Sequence, residues 1–142
     1  MDPLKLVALD KDDLEVVSAH LQDALIRPAD IRWRPQEKRL VVGLSRFDWE
    51  AALAQSPQYR RRSAALRFDR VLGCQAHNVD KSNKNSVLNL LSITFDQPDP
   101  PAGIVMLTFS GGGELRFAVE CLEAEIVDLD LAWAAAVCPD HS

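Results

Sequence analysis

Cysteine, histidine and unbroken apolar sequence are all scarce in this chain, and each scarcity removes a class of protein. Cys74, Cys121 and Cys138 are the only cysteines, an odd number without Cys-x-x-Cys spacing. That argues against a disulfide scaffold or a redox pair and for reduced thiols in a cytoplasmic protein. His20, His77 and His141 offer no i, i+4 pair, and none lies beside a cysteine. No metal site and no cofactor is therefore expected. No apolar stretch approaches the roughly 20 residues needed to span a bilayer. Met1-Asp2-Pro3-Leu4-Lys5 has no basic leader before an apolar run, so neither membrane insertion nor a signal peptide is expected. Gly111-Gly112-Gly113 lacks the lysine and the strand-loop-helix setting of a P-loop, and between two strand-like segments it reads as a hairpin turn.

What the chain does have is charge asymmetry. Ten of the eleven arginines fall between Arg27 and Arg70, a segment of net charge +6 inside a chain of net −5. The flanks are acidic, most densely in Glu120, Glu123, Glu125, Asp128 and Asp130. The overall charge argues against general nucleic-acid binding, because long-range attraction to phosphate is opposed. At 142 residues with 47% apolar content, residues 1–142 read as a single globular domain that needs no staple to hold its core.

Periodicity orders the elements. Leu4 to Leu9 alternates as a short strand. Asp10 is placed to cap a helix over residues 11–22, with Asp12, Asp13 and Glu15 in its first turn and Leu14, Val17 and Leu21 as its apolar stripe. Beyond Pro28 the period falls to two: Ile31 and Trp33 on one face, Arg32 and Arg34 on the other, then a turn at Pro35–Lys38 and a returning strand through Leu40, Val42 and Leu44. Leu66 and Phe68 alternate with Arg67, with a bulge expected at Val71–Leu72. Val87 to Phe95 is a further strand, and Ile104–Phe109 with Glu114–Val119 form a hairpin across the glycines. The run Leu129 to Val137, anchored by Trp133 and followed by Pro139, predicts a closing helix. The fold class is α+β: a bent, mostly antiparallel sheet of about seven strands with one N-terminal and one C-terminal helix. That order is compatible with a pleckstrin-homology-like barrel, whose last helix plugs one end.

Ser18 to Ala24, Arg46-Phe47-Asp48-Trp49-Glu50, Arg60 to Val71, Gly111-Gly112-Gly113, Val119-Glu120-Cys121 and the tail with Trp133, Pro139 and His141 together resemble a family of small proteins of unknown function found mainly in alphaproteobacteria. The resemblance covers nearly the whole chain. It implies a cytoplasmic bacterial domain and carries over no activity, cofactor or catalytic residue.

The candidate site is the arginine cluster. Arg60 and Arg62 face one way on an extended chain and Arg61 the other, while Arg67 lies opposite Leu66 and Phe68. With Arg32 and Arg34 from an earlier strand, these arginines form a surface for a phosphorylated small molecule or an acidic protein, since guanidinium groups bind phosphate and carboxylate bidentately. The competing reading pairs the arginines with the acidic C-terminal run, within the chain or across a homodimer. Phe47 and Trp49 are either an aromatic platform for stacking or a plug at the sheet edge. An enzyme without a recognisable motif is the third reading, marked by a deep pocket with perturbed titratable groups; no catalytic residue is named for it.

Overall fold

A computed structural model describes residues 3–49, 53, 60–80, 82 and 85–134, except the side chains of residues 60 and 130–134. Of ten strands, nine follow one path: β1 (Lys5–Ala8), β10 (Ala124–Ala134), β5 (Arg60–Phe68), β4 (Arg39–Phe47), β2 (Leu25–Ile26), β7 (Leu88–Asp96), β8 (Gly103–Phe109), β9 (Glu114–Val119) and β6 (Val71–His77), with β3 (Ile31–Arg34) pairing β4 off that path. Every pairing is antiparallel. Helix α1 (Lys11–Leu21) follows β1.

Helix α1 starts where its cap dictates. The Asp10 carboxylate accepts from Asp13 N at 2.8 Å, and the Asp13 carboxylate accepts from Leu9 N at 3.0 Å, so the two aspartates share the orphan amides of the first turn. Leu14, Val17 and Leu21 are buried. Ser18 Oγ accepts from Ile93 N at 2.9 Å and ties the helix to β7.

The sheet bends at a corner shared by two strand pairs. β5 and β10 pair on one side of it, β6 and β9 on the other. The connections run side by side, with Asp69 N donating to Glu123 O and Glu120 N donating to Arg70 O, both at 2.9 Å. Arg70 takes positive φ there. The expected bulge falls between Val71 and Gly73. Across the bend Phe68 of β5 meets Phe117 of β9 edge to face, ring centroids 4.7 Å apart, so both halves of the sheet close on one core with α1. The glycine turn is as expected: Gly111 and Gly112 have φ of 83° and 91°, and Phe109 N donates to Gly113 O.

Two expectations change. The strand count is ten rather than about seven, partly because β2 is only two residues long and leaves no periodic trace. The C-terminal helix is replaced by strand from Leu129 to Ala134; residues 135–137 lie outside the described residues. The alanine-rich run favours helix locally. Pairing with β5, where Ala132, Trp133 and Ala134 oppose Arg62, Arg61 and Arg60, outweighs that preference, because a strand continued along an existing ladder satisfies its backbone at once.

Candidate functional site

Strand parity divides the arginines between two faces. On β4, Leu40, Val42, Leu44 and Arg46 point inward; on β5, Arg62, Ala64, Leu66 and Phe68 do. Arg46 therefore enters the core, with a side chain 1% exposed. Its Nε and Nη2 each donate at 2.7 Å to the two oxygens of Asp128, which is fully buried. Asp128 Oδ2 also accepts from Leu4 N at 2.7 Å, and Asp128 N donates to Leu4 O at 2.8 Å. This carboxylate thus joins β4, β10 and the lead-in to β1. Arg62 is nearly as buried and donates from Nε to Asp48 at 3.0 Å.

The acidic run takes up further cations on the surface. Glu120 binds Lys38, Glu123 binds Arg70 at 3.3 Å, and Glu125 lies 3.9 Å from Arg67. The Lys38 ammonium, by hydrogen bond and charge, holds the Glu120 carboxyl below the usual glutamate range. Arg39 donates to Asp69 at 2.8 Å, which raises its own pKa. Arg67 Nε lies 3.0 Å from the other Asp69 oxygen without the alignment of a hydrogen bond. Arg34 is 3.8 Å from Glu37.

The outer face of β3, β4 and β5 carries what is left. Val41 of β4 is flanked in register by Arg32 and Arg67, and these two line, with Arg34 and Arg39, a hollow of about 280 Å³. Along β4 and β5 the side chains then become small: Gly43 pairs Ala65, and Ser45 pairs Ser63. Over this floor lies a groove of about 480 Å³. Arg61 stands at one end, where its Nη1 reaches Asp23 O and Ser45 O at 3.3 and 3.4 Å and its Cζ lies 6.0 Å from the Phe47 ring centre. Burial lowers the Arg61 pKa, and the charge of Asp23 partly offsets this. Arg27 and Asp30, from the turn after β2, form one wall. Leu25, Val87 and Leu129 supply apolar edges; Leu129 belongs to the irregularity where β10 shifts register between Asp128 and Ala132. The two hollows share Asp30 and Gly43.

Among the described residues, no carboxylate pairs with Arg27 or Arg32, no cation pairs with Asp30, and the buried Ser45 Oγ has no hydrogen-bond partner. No cluster of three metal-ligating side chains occurs among those residues, and none of their helices is long and apolar enough to cross a membrane.

A family model described as a protein of unknown function (DUF2948) matches residues 4–141. The chain belongs to the DUF2948 family. The resemblance read from the arginine, glycine and tail motifs therefore holds at the level of the family. No curated protein and no solved structure matches the chain.

In this DUF2948 chain the arginines singled out in the sequence separate. Arg32, Arg34 and Arg67 come together on the outer face, Arg61 lies further along it, and Arg62 is turned inside; the Arg60 side chain lies outside the described residues. Phe47 is fully buried, and Trp49 packs edge-on against it at 4.6 Å while its Nε1 donates to Gln22 O at 3.2 Å. Sequence reasoning passed over Arg27, Asp30, Ser45 and Ser63, which become neighbours only when β2, β4 and β5 pair. It also passed over the inward turn of Arg46, although the alternation Leu40, Val42, Leu44, Arg46 carries that signal.

Proposed function

We propose that the protein is a non-enzymatic binding module whose outer groove takes a small anionic ligand. The observation that supports this best is the remainder after ion pairing. Arg46, Arg62, Arg67, Arg70 and Arg39 have carboxylate partners, whereas among the described residues Arg27 and Arg32 have none and Arg61 makes no ion pair, donating to carbonyls beside the Asp23 charge and a ring. Arg27 and Arg61 border the groove floored by small side chains, and Arg32 lines the adjoining hollow. Arg61, the one of the three that is partly kept from water, binds an anion more strongly than a guanidinium fully in solvent, because competing hydration is reduced.

The phosphate-bearing ligand and the acidic partner remain the two anion sources in view, and the groove's volume fits the small-molecule range of about 300–1,000 Å³. The assembly reading draws support from the many pairs between the arginine segment and the acidic run. Those described lie within one chain, so they favour a structural role for those arginines rather than a subunit contact. Titration calorimetry with inorganic phosphate and acetate at 50 and 500 mM salt tests the binding reading. Salt-sensitive binding, lost in Arg27→Ala with melting unchanged and lost also in Arg61→Ala, is the expected result. Absence of binding by every anion at low salt contradicts it.

A further inference from the structure

We infer that the groove over β4 and β5 recognises a zwitterion of the amino-acid class, an apolar α-amino acid, rather than a simple anion. The inference rests on the anion-binding reading and narrows it. Three features carry it. First, the groove holds charge of both signs: Arg27 and Arg61 beside the Asp30 carboxylate. Asp30 is half-buried over Gly43, where an added Cβ would lie 3.4 Å from Asp30 Cβ, and no cation among the described residues pairs with it. For a simple anion Asp30 is a repulsive neighbour; for a ligand carrying an ammonium group it is a partner.

Second, the buried Ser45 hydroxyl has no partner. Buried polar atoms left alone in native proteins commonly face a missing water, ion or ligand. A serine hydroxyl both donates and accepts, so it suits either end of a zwitterion. Third, Leu25, Val87 and Leu129 line the same groove, and Val87 and Leu129 are 53% and 49% exposed. They give an apolar side chain a place to go, while the floor of Gly43, Ser45 and Ser63 leaves the room. Small-molecule sites have this make-up, an apolar lining with a few convergent polar groups.

The recognition is thus divided by chemistry: carboxylate to Arg27 and Arg61, ammonium to Asp30, side chain to the apolar edge. It requires both charges at once, and blocked analogues remove them one at a time. The common L-amino acids are first screened by thermal shift on the full chain. Titration calorimetry then compares the best of them with its N-acetyl and its amide derivative and with inorganic phosphate. The inference predicts that each blocked form binds at least roughly tenfold more weakly, the loss expected for one charge-assisted contact. Arg27→Ala and Asp30→Asn weaken the free amino acid similarly. Ser63→Leu, which fills the floor from a half-buried outward position, abolishes binding without lowering the melting temperature.

If the N-acetyl form or phosphate binds as tightly as the free amino acid, the zwitterion inference falls and the anion-binding reading stands. If phosphate binds and no amino acid does, the outcome is the same. If nothing in the panel binds, both fall. The analogue comparison uses the native protein alone, so a variant that fails to fold does not alter its result.

Discussion

Arg46 on β4 and Arg62 on β5 lie directly opposite each other in register, both turned into the core. Two like charges so placed repel, and neither could stay charged in an apolar interior alone. Each has its own buried aspartate: Asp128 reaches Arg46 from β10, and Asp48 reaches Arg62 from just beyond β4. Ala64 is the register partner of Asp128 on the intervening strand. The strongest pairing of the arginine segment with the acidic run is therefore internal and structural. The recognition proposed above then falls to arginines on the opposite face.

Breaking one of these pairs should cost far more than replacing it whole. Asp128→Ala removes the bidentate Asp128 carboxylate from the buried Arg46 guanidinium and is expected to destabilise by about 3–5 kcal/mol. The double variant Arg46→Met with Asp128→Leu should recover most of that loss. Urea unfolding of the two singles and the double decides, a near-additive double being the contrary result.

Gly103 opens β8 where no side chain fits. An added Cβ would sit 2.3 Å from the Phe95 ring and 2.8 Å from Asp96 O. Gly103→Ala must push both ring and backbone, so a loss of about 1–3 kcal/mol or more is expected. Thermal melting checks this, with Gly73→Ala as the control, since nothing lies within 4 Å of a Cβ there.

Strand β10 extends to Ala134. Backbone NMR shifts over Leu129–Ala134 should therefore carry the extended sign, continuous with Ala124–Asp128. Helical shifts there would restore the closing helix that the alanine content suggests.

The Lys38–Glu120 pair gives a pH signature at the bend. Lys38 lowers the Glu120 pKa in the folded state. The contribution to stability is then present above the unfolded glutamate pKa and is lost as pH falls through the lowered folded value. Both side chains are substantially exposed, so the effect on stability is small. In a carboxylate NMR titration, Glu120 should have a midpoint below the ordinary glutamate range, and Lys38→Ala should return it upward.

Much of this fold was legible because its strands obey a strict period of two. The Asp10 cap, the helix stripe, the Gly111–Gly113 hairpin and the Val71 bulge are written in residue types with one dominant local conformation. The C-terminal strand was not legible: Ala132, Ala134 and their neighbours prefer helix alone, and only β5 makes them extended. The same alternation that separated Arg61 from Arg62 was sufficient to turn Arg46 inward, since it continues the phase of Leu40, Val42 and Leu44. The groove was hidden for another reason. Its polar groups sit on two strands and a turn, and the sequence records neither their register nor the smallness of Gly43, Ser45 and Ser63 as a shared floor.

The central claim, that Arg27 and Arg61 serve a groove over β4 and β5, is tested most directly by following backbone amide NMR signals during titration with inorganic phosphate and with acetate at 50 mM salt. Saturable shifts confined to Gly43, Ser45, Arg61, Ser63 and the Arg27–Asp30 turn, and suppressed at 500 mM salt, are predicted. Shifts confined to the Lys38–Glu120 corner, or none at any residue, would contradict it.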